Sequence, residues 1–461
     1  MRIGLTLGLG LWLLASPLLA QSPLPRLQVS ENRRFLVTES GKPFFYLGDT
    51  AWELIHRVNR SDIDLYLSDR ERKGFTVIQT VILAELDGLR VPNPRGHLPL
   101  QEMDPARPNE PYFEDVDYVV QGANRRGMYV GLLPTWGDKV GPKAWGVGPE
   151  IFTPAKAAQY GEFLGKRYRD AGVIWILGGD RNPVTPEQKE IWRTMAKGIR
   201  QGSGGKQLIT FHPQGGGSSA TFFFGEDWID FHMQQNGHDT DTPVWERIAR
   251  DYQRRPHAPV MDAEPLYEDH PIGFKPDERG HSNAADIRKF AYRDVFSGAF
   301  GHTYGNHAIW QAYDGQREPV NRPLSPWKFA LQAPGAEQMQ YLRRLMESRP
   351  MLERIPDDSL ILRGQGAGGK RVVATRDSQG RYAMIYLPTR RRITVDTKAI
   401  LGKTLQQWWM DPRTGEVHSI GTIPNRGQLE WIPPWEGENL DAVLILDDAD
   451  QGYSPPGSRR K

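Results

Sequence analysis

The sequence predicts an α/β protein in which a (β/α)8 barrel of the TIM type is followed by an antiparallel β-sandwich. Three observations lead to this fold class. Short apolar, β-prone runs alternate with helix-like stretches eight times between residues 44 and 307, which indicates parallel strands joined by crossover helices. Eight such units are the number that a TIM barrel needs. Beyond residue 356, short β-prone runs separated by turns replace the helical pattern, as is typical of a β-sandwich.

The barrel domain is predicted over residues 27–352, and a short hairpin of residues 27–29 and 35–38 leads into it. Its eight strands are predicted at residues 44–47, 75–83, 128–133, 173–177, 207–211, 231–233, 260–262 and 301–304. The helical pattern is found at residues 63–73, 113–126, 154–169, 186–201, 242–252, 284–297 and 336–352. No Gly-rich phosphate-binding motif follows the first strand, which disfavours a doubly wound nucleotide-binding fold.

The second domain is predicted over residues 356–447. Its strands are expected at residues 360–362, 371–375, 382–386, 393–395, 404–409, 415–420, 428–432 and 442–446. We expect this sandwich to pack against the barrel in a structural role. Residues 448–461 are rich in proline, glycine and charge, so they are predicted to form a disordered tail.

The first residues are typical of a secretory signal peptide. Met1 and Arg2 give a short basic start, residues 3–14 are almost wholly apolar, and residues 15–20 end in small side chains. We therefore predict a signal peptide at residues 1–20 and a protein that is secreted or periplasmic. The apolar run is too short for a membrane span, so no membrane attachment is expected.

The composition narrows the classes of partner. Lys and Arg number 58 against 56 Asp and Glu, whereas nucleic-acid-binding proteins usually carry a basic excess. We expect no nucleic-acid partner and a monomeric protein. The absence of cysteine excludes disulfides, thiolate metal sites and a cysteine nucleophile.

Two carboxylates follow predicted strands in a way that suits glycoside hydrolysis. Asp180 follows the fourth strand directly after Gly178 and Gly179, and Glu264 follows the seventh. The C-terminal ends of barrel strands surround one mouth, where two carboxyl groups can act as acid and as nucleophile or base. The alternative is that Asp180 caps a turn and that Glu264, before Pro265, is a surface residue. Other candidate carboxylates are Asp49, Glu53, Asp138, Asp262, Glu268 and Asp269.

Further polar and aromatic residues at strand ends are predicted to bind the substrate. Carboxylates and side chains with hydrogen-bonding groups would contact sugar hydroxyls or position the catalytic pair; these are Asp49, Asp138, His212, Gln235, His238 and His307. Indole rings would stack on sugars or, alternatively, plug the barrel rim; these are Trp52, Trp136 and Trp310.

A metal site is not expected, although the histidines at positions 212, 232, 238 and 307 raise the possibility. The first strand has no His-x-His pair and no His-Glu-x-x-His motif occurs. We predict that the protein uses neither a metal nor another cofactor.

Four of these segments resemble the apiosidase-like glycoside hydrolases over residues 27–352. The segments are Gly48-Asp49-Thr50-Ala51-Trp52, Leu177-Gly178-Gly179-Asp180, Gln234-Gln235-Asn236-Gly237-His238 and Asp262-Ala263-Glu264-Pro265. The stretch Trp408-Trp409-Met410-Asp411-Pro412-Arg413-Thr414-Gly415 is similar to the small sandwich, described as collagen-binding, that often follows this barrel. Such Trp–Asp-Pro-Arg-Thr-Gly hairpins also close the sandwiches of many glycosidases, where they are structural.

The resemblance implies a retaining enzyme that acts on an oligo- or polysaccharide of the plant cell wall and releases apiose-linked side chains from pectin. It implies that Asp180 is the acid/base and Glu264 the nucleophile. Their carboxyl groups should then lie about 5–5.5 Å apart, and the charge of Glu264 should raise the pKa of Asp180. Two other function classes stay open: a non-catalytic carbohydrate-binding or adhesion protein, and a metal-dependent barrel hydrolase.

The loop after the second strand, residues 85–111, is expected to shape the substrate pocket. Its Arg90, Arg95 and Arg107 would suit an acidic glycan, because guanidinium groups pair well with carboxylates. The alternative is a solvated loop without a role in binding.

Overall fold

The computed structural model describes residues 24–141 and 145–458, so the predicted signal peptide lies outside the described residues. Three short antiparallel strands come first: β1 (Leu27–Val29), β2 (Leu36–Thr38) and β3 (Pro43–Phe44). The turn between β1 and β2 lies near the chain that leads into the seventh barrel strand, because the Arg33 guanidinium donates to the His257 carbonyl at 2.8 Å. The predicted hairpin therefore caps the N-terminal end of the barrel.

The predicted barrel is confirmed. Eight parallel strands pair in the order β8-β7-β6-β5-β4-β11-β10-β9, and the two ends meet where the Thr210 hydroxyl donates to the Phe231 carbonyl at 2.6 Å. The strands are β4 (Tyr46–Thr50), β5 (Val77–Leu83), β6 (Tyr129–Thr135), β7 (Val173–Gly178), β8 (Ile209–His212), β9 (His232–Gln235), β10 (Val260–Glu264) and β11 (Gly301–Tyr304).

Helices connect the strands and cover the barrel. Those with a clear sequence pattern lie within a few residues of their predicted bounds, whereas single-turn helices are too short to show a period. In chain order they are α1 (Leu54–Arg57), α2 (Arg60–Arg72), α3 (Glu110–Arg125), α4 (Pro154–Arg167), α5 (Pro186–Ser203), α6 (Ala220–Phe223), α7 (Val244–Tyr252), α8 (Pro276–Arg279), α9 (Ala284–Phe296), α10 (His307–Trp310), α11 (Trp327–Ala330) and α12 (Pro334–Glu347). None of the helices in the described part of the chain is both long and apolar enough to cross a membrane.

Alternate residues of each barrel strand face the interior and the helices. The Tyr46 hydroxyl crosses the interior and donates to Gln79 Oε1 at 2.9 Å. Gly131 leaves room for this pair, since a Cβ there would lie 3.1 Å from the Tyr46 hydroxyl. On β4, the residues at positions 46, 48 and 50 therefore face inward, and the residue at position 49 faces the helical layer.

Helices α4 and α5 touch backbone to backbone. A Cβ on Gly161 would lie 2.4 Å from the Met195 carbonyl oxygen, and one on Gly198 would lie 2.2 Å from that of Ala158. Gly165 and Gly202, four residues further along each helix, are equally crowded by backbone. The helices can approach this closely only because these positions lack side chains.

The predicted β-sandwich is also confirmed. A six-stranded antiparallel sheet with the order β12-β14-β15-β20-β17-β18 accompanies a three-stranded sheet with the order β13-β16-β19. The strands are β12 (Arg354–Pro356), β13 (Ile361–Arg363), β14 (Val373–Asp377), β15 (Tyr382–Leu387), β16 (Ile393–Asp396), β17 (Thr404–Met410), β18 (Val417–Pro424), β19 (Gln428–Trp431) and β20 (Ala442–Asp448). The three-residue edge strand β12 was not predicted, because it is short and ends in proline.

The barrel and the sandwich share one buried interface. Arg288 on α9 forms an ion pair with Asp441 at 2.7 Å, and Arg349 forms one with Asp447 at 2.7 Å. All four side chains are at most 3% exposed. The rings of Tyr292 on α9 and Tyr386 on β15 are stacked with their centroids 4.8 Å apart. Apolar and charged contacts therefore join the two domains.

The segment after β20 differs from the prediction of a disordered tail. Residues 449–451 form a turn of 3-10 helix, and the Asp448 carboxylate accepts from the Asp450 amide at 3.1 Å. The Tyr453 ring then lies 4.7 Å from the guanidinium carbon of Arg349. This cation–π contact orders the first part of the tail; residues 459–461 lie outside the described residues.

Candidate active site

A sharp turn after β7 places Asp180 at the mouth of the barrel. Gly178 and Gly179 have φ angles of 87° and 106°, and Asp180 itself has a φ of 54°. A Cβ on Gly178 would lie 2.2 Å from the His212 carbonyl oxygen, and one on Gly179 would lie 2.9 Å from the Trp136 ring. Only glycine fits both the left-handed conformation and this close approach. The backbone conformation and the crowding therefore require glycine at both positions, independently of any ligand.

Asp180 is surrounded by a hydrogen-bond donor and a cation. The Trp145 indole N–H donates to Asp180 Oδ2 at 2.5 Å, and Arg181 Nη1 lies 3.6 Å from the same oxygen. The backbone N–H of Asp180 donates to His212 Nδ1 at 3.3 Å. The Asp180 residue is 9% exposed, so its carboxyl group lies in a largely desolvated position.

Glu264 at the end of β10 lies between two imidazole rings. Its Oε2 is 3.1 Å from His212 Nε2, and its Oε1 is 3.2 Å from His238 Nε2. Because His212 Nδ1 accepts from the Asp180 N–H, a neutral His212 ring carries its proton on Nε2, the nitrogen that faces Glu264. The contact to Oε2 is off the line of a good hydrogen bond. One histidine ring thus contacts the backbone of Asp180 and the carboxylate of Glu264.

The two carboxyl groups have opposite pKa shifts. Burial, followed by the charge of Glu264, raises the pKa of Asp180 to about 6. Burial alone would raise the pKa of Glu264 as well, but the close contacts with His212 and His238 outweigh it and lower that pKa to about 2. The predicted rise for Asp180 is therefore confirmed, with burial as its larger cause. Between these pKa values the site holds one protonated and one ionised carboxyl group, as acid–nucleophile chemistry needs.

Trp52 and Trp136 do not offer the stacking surface that was predicted for them. Each is only 2% exposed, and the two ring centroids lie 5.3 Å apart. Their rings surround His212 at centroid distances of 5.5 and 6.2 Å. They pack behind the histidine and fix its orientation, which corresponds to the alternative of a plugged barrel rim.

A row of three histidines lines one side of the site. His238 stacks on His270 with centroids 3.9 Å apart, and His270 meets the edge of His307 at 4.4 Å. Burial lowers the pKa of His307 to about 3 and that of His270 well below its ordinary value. Both rings are therefore neutral, so His238 can lie close to them without a charge conflict.

The predicted binding role of His307 needs correction. Its Nε2 lies 3.0 Å from the Val320 carbonyl and 2.9 Å from that of Asn321, and its Nδ1 accepts from the Trp310 indole at 3.3 Å. Both ring nitrogens are thus occupied and the side chain is fully buried. His307 holds the loop that follows α10, and Trp310 is partly buried beside it.

Asp49 also does not reach the mouth. Its carboxylate accepts from Arg70 Nε at 2.6 Å and from the Tyr66 hydroxyl, both of which lie on α2. All three residues are at most 1% exposed. The error has a simple cause: position 49 belongs to the outward-facing set of β4, and one residue of register decides between interior and helical layer.

Asp138 supports a loop and is not available to a sugar. Lys139 Nζ lies 2.7 Å from its Oδ1, and the Gly148 N–H donates to its Oδ2 at 3.0 Å. Its exposed fraction is zero. Asp138 therefore holds the backbone at Gly148, three residues after Trp145 in the sequence.

The other candidate carboxylates are also engaged within the fold. His56 lies 2.6 Å from Glu53, the Asn236 amide donates to Asp262 at 2.7 Å, and the Tyr304 hydroxyl donates to Glu268 at 2.6 Å. Asp269 accepts from Asn306 at 3.0 Å. Among the predicted binding residues, Gln235 is different, because its Oε1 is buried and has no partner within the described residues.

Several residues of the site were not predicted from the sequence. Trp145 and Arg181 contact Asp180, His270 supports His238, and Glu85 is a buried carboxyl group at the end of β5. Burial, and then the charges of Asp180, Glu53 and Asp138, raise the pKa of Glu85 well above its ordinary value. All four missed residues lie in loops after strands, and only the position of Arg181 beside Asp180 was visible in the sequence.

The arginines of the 85–111 loop have partners within the protein. Arg90 pairs with Asp87 at 2.8 Å, Arg95 with Asp115 at 2.8 Å and Arg107 with Glu102 at 2.6 Å. Because these guanidinium groups already pair with carboxylates of the protein, they favour a structural role for the loop over binding of an acidic glycan. Within residues 24–141 and 145–458, no group of three or more His, Asp or Glu side chains is arranged to hold a metal ion.

Comparison with known proteins identifies the barrel. Residues 30–353 match the family described as "Apiosidase-like, catalytic domain". The chain belongs to this family. Residues 355–447 match the family described as "Putative collagen-binding domain of a collagenase". No protein of curated function matches the chain.

Solved structures of glycoside hydrolases are similar to this chain. A structure described as a glycoside hydrolase is 32% identical, with a TM-score of 0.84 over 92% of this chain and 97% of its own. A glycoside hydrolase family 5 protein from Bacteroides vulgatus is 31% identical, with a TM-score of 0.85 over 94% of this chain and 96% of its own. A third structure, at 15% identity and a TM-score of 0.67, shares the fold. The apiosidase-like protein is therefore a glycoside hydrolase, and its substrate is a saccharide.

Proposed function

We propose that this glycoside hydrolase acts with retention of configuration, using Glu264 as nucleophile and Asp180 as acid/base. The observation that carries the proposal is the His212 ring, which contacts Glu264 at 3.1 Å and accepts from the Asp180 backbone at 3.3 Å. This arrangement couples two carboxyl groups that have opposite pKa shifts, with Asp180 near 6 and Glu264 near 2.

The mechanism has two steps. Ionised Glu264 attacks the anomeric carbon while protonated Asp180 gives its proton to the departing glycosidic oxygen, and a glycosyl–enzyme ester forms. Ionised Asp180 then takes a proton from water, whose oxygen attacks the same carbon and releases Glu264 as a carboxylate. Glu264 is thus ionised at a pH where Asp180 is still protonated, which the first step needs.

The proposed substrate is a pectin-type plant glycan that carries apiose-linked side chains. Membership of the apiosidase-like family supports this choice. The signal-like start of the sequence supports action outside the cytoplasm, in a secreted or periplasmic form, and we propose that the protein acts there as a monomer. Hydrolysis by two carboxyl groups needs no cofactor.

The test is hydrolysis of pectic polysaccharides and glycoside panels by the protein without residues 1–20. Asp180→Asn and Glu264→Gln should each lower kcat by about 10²–10⁴-fold, with unchanged thermal unfolding as the control. Proton NMR of the first product formed should show the anomer of the substrate. Release of the opposite anomer, or full activity in either variant, would overturn the mechanism.

Further measurements on the same protein separate the other function classes. Loss of activity with a chelator, restored by metal, would indicate a metal-dependent hydrolase. Binding on a glycan array without hydrolysis of the bound glycan would indicate a non-catalytic binding protein. Hydrolysis of a glycan that lacks apiose would keep the mechanism and replace the proposed substrate.

A further inference from the structure

The site lacks the stacking surface that was expected from Trp52 and Trp136, but Trp145 offers one. Trp145 is 42% exposed, whereas those two residues are each 2% exposed. Its indole N–H nevertheless donates to Asp180 Oδ2 at 2.5 Å. The same ring therefore contacts one carboxyl group of the site and presents apolar surface to solvent.

Trp145 is fixed from two sides. The Arg181 guanidinium donates to the Trp145 carbonyl, and its carbon lies 4.4 Å from the centre of the ring. On the other side, Asp138 accepts from the Gly148 N–H at 3.0 Å, and a Cβ on Gly146 would lie 2.7 Å from Asp138 Oδ2. Two buried charged residues thus hold a solvent-exposed tryptophan, an arrangement that preorganises a binding surface.

We propose that Trp145 forms the subsite for the leaving-group sugar. The part of the indole that Arg181 leaves uncovered stacks on the apolar face of the sugar that departs, while the ring N–H holds the Asp180 carboxyl toward the glycosidic oxygen. The substrate class is therefore a glycan with a sugar residue on the leaving side of the cleaved bond. This inference rests on the proposed function, in which Asp180 protonates that oxygen.

The position of Trp145 indicates on which side of the cleaved glycosidic bond it binds the substrate. A ring bonded to the acid lies next to the oxygen that the acid protonates, so it borders the leaving group. The other carboxylate, Glu264, is flanked by His238 at 3.2 Å, with His270 stacked behind that ring. The glycone is thus bordered by His238, and the two sides of the bond meet different surfaces.

The experiment compares two substrates that share one glycone: an oligosaccharide, and the glycosyl fluoride, whose leaving group is neither a sugar nor in need of a proton. Trp145→Ala should lower kcat/KM for the oligosaccharide by roughly 10-fold and for the fluoride by less than about 3-fold. Phe329→Ala is the matched control, since that ring is 74% exposed and contacts neither Asp180 nor Glu264. An equal loss on both substrates would overturn the proposal.

A second variant separates the N–H from the ring. Trp145→Phe keeps an aromatic surface but removes the donor that favours ionised Asp180, so the basic limb of kcat/KM should move to higher pH. An unchanged basic limb would overturn the positioning role. Binding of the oligosaccharide to Glu264→Gln, with and without Trp145→Ala, gives a readout that needs no turnover. Equal affinity in the two proteins would overturn the subsite, and failure of catalysis alone would instead concern the proposed function.

Discussion

His212 contacts both carboxyl residues of the site, and its surroundings leave it little freedom. Its Nδ1 accepts from the Asp180 backbone, its Nε2 faces Glu264, and Trp52 and Trp136 pack against its ring. Because the ring is fully buried, a change there acts on Asp180 and Glu264 together. Because His212 lowers the pKa of both carboxyl groups, the pH dependence of activity tests its role.

We predict a bell-shaped pH profile for kcat/KM. Activity should rise as pH increases through about 2, where Glu264 ionises, and fall as pH increases through about 6, where Asp180 loses its proton. His212→Asn removes a group that lowers both pKa values, so both limbs should move to higher pH. A profile that is unchanged in this variant would contradict the role of His212.

Asp49 provides a test of the corrected assignment at the residue scale. Asp49→Ala removes one of the two carboxylates that pair with the buried Arg70 guanidinium, Asp69 being the other, which should lower the free energy of unfolding by at most about 3–5 kcal/mol. The kcat/KM of the remaining folded protein should change little, because the side chain faces α2. Chemical denaturation and kinetics at low temperature check this. A raised KM with unchanged stability would restore Asp49 to the substrate site.

At the scale of elements, the contact between α4 and α5 depends on four glycines. We predict that Gly198→Ala lowers the free energy of unfolding by about 1–3 kcal/mol, since the added methyl would lie 2.2 Å from the Ala158 carbonyl oxygen. Gly369→Ala is the matched control, because a Cβ there has no neighbour within 4 Å. Equal stability of the two variants in urea would show that the helices can move apart freely.

The sequence predicted these elements well because their patterns are local. The hydrophobic periodicity and the turn residues located the eight barrel strands. They also located the helices between α2 and α12 that are longer than two turns. Asp180 and Glu264 could be found because Glu264 ends β10 and Asp180 lies in the turn directly after β7. Asp49 was misjudged because the pattern did not fix which face of β4 it occupies. Trp145 had no signal, since it lies 35 residues before its partner Asp180 in a loop without periodicity.

At the scale of the molecule, barrel and sandwich should unfold together. Their interface buries the ion pairs Arg288–Asp441 and Arg349–Asp447, and removing one partner of a buried pair costs about 3–5 kcal/mol. We predict a single calorimetric transition for the whole chain and a lower Tm for Asp441→Ala. Glu430→Ala is the control, since its pair with Arg392 is largely exposed. Two separate transitions in the unmodified protein would contradict this coupling.

The strand β20 lies in the middle of its sheet, between β15 and β17, although it follows the other described strands of the sandwich in the sequence. It also supplies the carboxylate that pairs with Arg349, and Asp441, the partner of Arg288, directly precedes it. The residues of β20 must therefore be synthesised before either domain can complete its buried contacts. Nascent chains that end before Asp441 lack the carboxylates that pair with Arg288 and Arg349 in the folded protein, so both arginines stay without these partners until the sandwich is nearly complete.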